Sequence, residues 1–280
     1  MTRGVLGIII CPMNDDPLLH FIRNDSDVDR VILLQNEHSD RILGKLESSG
    51  IPFDVVPEQD FDEGRMVVDH DKFNIVIKAN NLALHGEPTK LRARIEEQVR
   101  QIQPLVDVVG LYYGTCGNAG WDMEKWASEQ NLKPLCVFRG TDGKVCDDCV
   151  ALAVGGQTRY RQLEREYVGM FYLTPAIADN WVDFVSAGDD ADQFKNIPPE
   201  TLDALGIHSD MDFMRWLFEL GHYKNVLKLY TGITDRAKFD AQAEDIGKVL
   251  NLKPIEAADG WVTLDPSESL YNRCKHALPQ

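Results

Sequence analysis

Cysteine is the residue type whose placement most directly suggests chemistry in this chain. Six are present: Cys11, Cys116, Cys136, Cys146, Cys149 and Cys274. In a reducing compartment, closely spaced cysteines point to metal or redox chemistry rather than disulfides. Cys146 and Cys149 form one Cys-x-x-Cys pair. A single pair is compatible with a metal site, a redox dithiol or no role. The intervening Asp147 and Asp148 would oppose thiolate formation unless a cation or metal compensates. Cys116 lies among Gly114, Gly117 and Gly120, which would let the backbone approach a bulky cofactor. Three or four thiolates together could hold zinc tetrahedrally, or an iron–sulfur cluster with one iron open to substrate. Cys136 falls inside an apolar run and reads as core; Cys274, near the end of the sequence, reads as incidental.

Short apolar runs of strand length occur at residues 5–10, 28–34, 52–56, 106–113, 135–138, 170–174, 225–230 and 254–257. Helical spacing marks residues 16–23, 39–48, 88–103, 121–130, 159–166, 198–205, 210–220 and 235–250, and a helix starting at Cys146 or Asp147. Residues 73–79 fit either a strand or the start of a helix, residues 61–71 read as a loop, and residues 189–192 as an acidic loop. Strands alternating with helices predict an α/β fold: a mainly parallel, Rossmann-like sheet with helices on both faces and a C-terminal βαβ extension. That last unit could extend the same sheet or form a second lobe. We expect a single domain over 1–280, with lobes 1–165 and 166–280 as the alternative.

This pattern gathers the cysteines. Cys11 follows the first strand, Cys116 the strand over 106–113, and Cys146 and Cys149 the strand over 135–138. Carboxyl ends of parallel strands share one edge, where ligands collect. Helix N-termini at that edge would favour thiolates. Arg139, on the same edge, could clamp a carboxylate or phosphate, and Asp148 could accept or carry a proton.

Composition narrows the partners. Lys and Arg number 29 against 45 Asp and Glu, a formal charge of −16, which argues against nucleic acid and anionic membranes. No apolar run spans a bilayer and the N-terminal run is too short for a secretory signal, so a cytoplasmic location is expected. The glycines 114, 117 and 120 loosely suggest a phosphate cradle but match neither dinucleotide nor P-loop spacing.

The segments LYYGTCGNAG, VCDDCVALAVGGQTRY and GMFYLTPAIADNW, in this order, resemble the family known as domain of unknown function 1638. The resemblance runs from about Val5 to Trp261 and falls on Cys11, Cys116-Gly117, Arg139, Asp148-Cys149, Gly156, Tyr160, Phe171-Tyr172 and Pro175. Two features depart from the family pattern: the additional Cys146, and Ala176-Ile177 where Gly-Trp is expected. The family occurs mostly in methanogens and anaerobes, often encoded beside corrinoid-dependent methyltransferases. The resemblance therefore implies one-carbon metabolism, with a corrinoid protein or methyltransferase as partner.

The combined expectation is a metal–thiolate protein binding a small-molecule ligand. Cys11, Cys116, Cys146 and Cys149 would hold iron–sulfur or zinc, with Arg139 and Asp148 beside the reacting group, and methyl or sulfur transfer the suited chemistry. The alternatives are a non-catalytic accessory that binds a corrinoid or partner protein, and a dithiol oxidoreductase using Cys146 and Cys149.

Overall fold

The computed structural model describes residues 2–81, 88–115, 121–186 and 197–279. Six strands form one wholly parallel sheet: β1 (Gly4–Ile10), β2 (Val28–Gln35), β3 (Phe53–Pro57), β4 (Phe73–Ala79), β5 (Val108–Tyr112) and β6 (Leu135–Val137), in the order β3-β2-β4-β1-β5-β6. The helices near it are α1 (Asp15–Arg23), α2 (Asp40–Ser49), α3 (Glu58–Asp62), α4 (Pro88–Ile102), α5 (Met123–Glu129), α6 (Cys149–Ala153) and α7 (Gln157–Glu166). A second parallel sheet, β7 (Met170–Leu173), β8 (Asn225–Lys228) and β9 (Lys253–Glu256), is ordered β7-β8-β9. It carries α8 (Pro175–Asp179), α9 (Trp181–Ser186), α10 (Pro199–Ala204), α11 (Asp210–Leu220) and α12 (Arg236–Leu250). A final helix, α13 (Asp265–His276), completes the chain.

β1 is buried along its whole length because both faces of the sheet are covered. Its side chains divide by parity. Leu6, Ile8 and Ile10 join a core with Leu18, Ile42, Leu46 and Tyr271, while Val5 and Ile9 join Leu91, Ile95 and Val99 on the opposite face. Gly7 permits this closeness: a Cβ there would lie 2.9 Å from Val106 and 3.0 Å from Ile102.

Four readings needed the structure. Residues 73–79 form a strand, β4, whose buried position between β1 and β2 removes the alternation that would identify it. The predicted loop over 61–71 starts inside α3, where the ring of the buried Phe61 lies under the Lys78 ammonium; five residues are too few to show a helical period. The βαβ unit of β8, α12 and β9 does not extend the first sheet but pairs with β7. The sequence reading assigned no element to residues 265–276, yet α13 packs back onto β5, β6 and α1. The two sheets thus fall on either side of the 165/166 division, while the last helix returns across it. The predicted acidic loop over 189–192 lies outside the described residues. No described helix is long and apolar enough to cross a membrane.

Candidate functional site

From β1 the chain runs to β2 on one side of the sheet; from the adjacent β5 it runs to β6 on the other. Diverging connections open a crevice at the carboxyl ends of neighbouring strands. A cavity of about 490 Å³ occupies that position. Cys11, Met13 and Asn14 line it from beyond β1, Tyr113 and Gly114 from beyond β5, and Asp148 and Cys149 from the start of α6.

The backbone explains why these residues meet. The Cys11 N–H donates to the Tyr112 carbonyl at 3.3 Å, and Asn14 Nδ2 donates to the same oxygen at 2.8 Å. The turn after β1 is therefore fastened to the end of β5. Gly114 packs on the next segment so closely that a Cβ would lie 2.6 Å from the Asp147 carbonyl oxygen. The Thr115 N–H donates to the Cys146 carbonyl at 2.9 Å, and the Thr115 hydroxyl bonds the Asp147 carboxylate. These contacts place Asp148 as the N-cap of α6, its Oδ1 accepting the Ala151 N–H at 2.7 Å, and bring Cys149 to the cavity.

The second sheet and its neighbours roof the cavity. Tyr160 and Glu164 come from α7, Met170, Phe171 and Tyr172 from β7, and Met214 and Phe218 from α11, with Tyr223 beyond. Ile177, at the family's expected Gly-Trp position, adds an apolar contact. Tyr160 and Tyr172 meet edge to face at 5.9 Å, and Phe218 joins Phe171 at 5.4 Å and Tyr223 at 5.0 Å. Tyr172 donates its hydroxyl to the Tyr167 carbonyl at 2.9 Å. Of this roof, the family resemblance points to Tyr160 and Phe171-Tyr172, and to Ile177 only as a departure from the family pattern. Glu164, Met214 and Phe218 were missed. Their sole sequence signal is an aromatic-rich strand followed by a helix with several aromatic positions.

Burial governs the ionisation of these groups. It pushes the Cys11 thiol up to about 12, with Asp15 adding to the effect. It also raises the Asp148 carboxyl to about 6, against the N–H bond from Ala151 and helped by the charge of Asp147. The Tyr160 hydroxyl is raised by burial and by Asp148 and Glu164. For Cys11, desolvation outweighs the help expected from helix N-termini and, without a metal, favours the neutral thiol.

The remaining predicted residues are dispersed. Cys146 does not begin a helix: its N–H bonds the Phe138 carbonyl at 3.1 Å, next to an antiparallel bridge between Arg139 and Val145. Its side chain is fully buried in the core that holds Tyr112 and Phe138, and burial, followed by nearby aspartates, pushes its thiol up to about 12. The Cys146–Cys149 pair is thus divided between core and cavity. Arg139 is not among the cavity residues; its guanidinium pairs with Glu124 and donates to the Gly143 carbonyl at 2.9 Å. Cys136 and Cys274 are both buried in the core that holds Tyr112, so Cys274 is core rather than incidental. Cys116, Gly117 and Gly120 lie outside the described residues. Among the described residues, no group of three or more His, Cys, Asp or Glu side chains is placed to hold a metal ion.

The sequence model of a family described as "Protein of unknown function (DUF1638)" matches residues 80–265, about two thirds of the chain. The match includes Asp148, Cys149 and all of the roof, and leaves Cys11 outside. No curated protein and no solved structure matches the chain.

Proposed function

The chain belongs to the DUF1638 family of proteins of unknown function, and for it we propose a small-molecule-binding protein with a thiolate metal centre at the cavity floor. Cys11 and Cys149 would be ligands together with Cys116, and the metal would be zinc or the iron of an iron–sulfur cluster. One observation carries this reading: Cys11 and Cys149, far apart in sequence, line the same cavity at the sheet's switch point. The donor chemistry suits it, because three thiolates satisfy a tetrahedral metal or cluster while leaving a position for substrate. Bound there, the metal would keep a substrate or protein thiol deprotonated, the condition for methyl or sulfur transfer. The protein's own contribution is to seat the organic part of the substrate against the aromatic roof and to exclude water around the thiols. The setting in corrinoid-linked one-carbon metabolism, with a corrinoid protein or methyltransferase as partner, is supported by the family resemblance alone.

The test is purification without oxygen, followed by metal analysis and an absorption spectrum. Iron or zinc near stoichiometric with protein is expected, and lost in Cys11→Ser and Cys149→Ser variants that remain folded. Visible absorption would identify a cluster; colourless protein would identify zinc. Neither metal above trace overturns the metal centre. The raised pKa of Cys11 favours a second reading, a non-catalytic binder whose cysteines are neutral thiols, and that same negative result would select it.

A further inference from the structure

The cavity also has a charge asymmetry. Asp148 and Glu164 line it, and among the described residues no Lys, Arg or His does. Asp148 is half-buried, whereas Glu164 is exposed where it lines the cavity; several buried or half-buried acids elsewhere in this protein are matched by cations. Asp15 is held by Arg41 at 2.9 Å and Lys45 at 3.0 Å, Asp179 by Lys238 at 2.7 Å, and Glu58 by Lys78 at 2.6 Å. Asp148 and Glu164 make no ion pair among the described residues. Two carboxylates thus face one cavity with no cation among its described lining, so a positive charge arriving from solution would find countercharge there.

The walls narrow the kind of cation. A primary ammonium carries three N–H donors and is costly to desolvate unless each finds an acceptor. A hard cation such as calcium or magnesium, unlike a thiolate-bound metal, would need more oxygen ligands than two carboxylates. Aromatic rings and methionine sulfurs supply the opposite environment: polarisable, apolar surface that attracts positive charge through the ring quadrupole. Tyr160, Phe171, Tyr172 and Phe218 meet edge to face or tilted rather than stacked, so the walls stand at angles to one another. An ammonium whose hydrogens are replaced by methyl groups spreads its charge over a surface that needs no hydrogen bonds. The cavity volume of about 490 Å³ leaves room for such a head group and a short polar tail.

We propose that this cavity recognises an organic cation bearing N-methyl groups, with Tyr160, Phe171, Tyr172 and Phe218 against the methyls and Glu164 and Asp148 as countercharge. The inference rests on the cavity being the ligand site, as in the function proposed above, and is independent of the metal.

The experiment is calorimetric titration of the full chain with choline and with its uncharged isostere, in which carbon replaces nitrogen. Metal content is measured on the same preparation. Choline is expected to bind at least about tenfold more tightly than the isostere, the discrimination a desolvated cation–π site supplies. Glu164→Gln should reduce that ratio severalfold while leaving isostere binding unchanged. Phe218→Leu, which keeps the apolar surface but removes a ring, should weaken choline more than isostere; thermal melts verify that both variants fold. Equal binding of the two probes, tighter binding of ethanolamine than choline, or no binding of choline at millimolar concentration overturns the inference. Choline binding by metal-free protein would remove only the metal centre. Metal-loaded protein that ignores choline would remove only the cation.

Discussion

The interior of the six-stranded sheet and the cavity at its edge both enclose polar groups, but they complete them differently. Lys78, wholly buried in β4, has Glu58 at 2.6 Å, Gln101 at 3.2 Å and the ring of Phe61 below it. Asn80 and Gln98 exchange hydrogen bonds of 2.7 and 2.6 Å. At the cavity, by contrast, Cys11 and Asp148 are positioned by backbone hydrogen bonds and, with the exposed Glu164, line a space large enough for a ligand. Groups of the first kind contribute to the fold, because removing one partner strands the other in a low-dielectric interior. Groups of the second kind line the space a ligand would enter, and of them Asp148 also supports the fold as the N-cap of α6. The difference can be broken at defined residues.

The largest effect belongs to Glu58→Gln. It leaves the Lys78 ammonium buried without a countercharge, at an expected cost of about 3–5 kcal/mol in urea unfolding, with choline affinity unchanged. The pH dependence follows. Burial would raise the Glu58 carboxyl, but hydrogen bonds from Lys78 and Asn36 outweigh it and hold the group below its ordinary value. The folded state therefore favours the carboxylate. Its stabilisation is complete above the unfolded pKa of about 4.3 and is lost as pH falls through the folded value. Wild type should lose stability across that acidic window, and the variant should lose less. A variant within about 1 kcal/mol of wild type at neutral pH would contradict the distinction drawn for the sheet interior.

Two serines separate core from cavity within one motif. Cys146→Ser places a hydroxyl in apolar packing and should cost about 1–3 kcal/mol. Cys149→Ser, at the cavity, should cost under about 1 kcal/mol, the range of a change outside close packing, while abolishing bound metal. Reversed costs in denaturant titrations would mean that the two cysteines had been assigned to the wrong environments.

How much of this was legible in the sequence depends on whether a residue's surroundings are local. Residues 5–10 announce a strand covered on both faces because every position is apolar, and the strand's end then places Cys11 at the sheet edge. Gly114, Asp148 and Cys149 follow by the same logic. Phe218 and Glu164 do not: each belongs to an ordinary amphipathic helix, and only the packing of the second sheet over the first turns them toward one cavity. Cys146 was misplaced for a related reason. Its spacing from Cys149 suits a helix, but the bridge between Arg139 and Val145, formed across a tight loop, holds it extended.

Arg139 provides the smallest and most discriminating test. Its strand-end position suggested an anion clamp, yet its guanidinium is committed to Glu124, which also receives Arg273 at 3.0 Å and the Val137 N–H at 3.1 Å. Removing Arg139 leaves that carboxylate with a cation and a backbone donor, so no charge is stranded. Burial alone would raise the Glu124 carboxyl, and the bonds from the two arginines hold it low; one arginine still does so after the change. Arg139→Ala should therefore cost at most about 1 kcal/mol, as for a partly exposed ion pair, and leave both metal content and choline affinity at wild-type values. If either is lost while the melting temperature is kept, Arg139 acts on the ligand, and the cavity's electrostatics include a cation that would favour an anionic substrate instead.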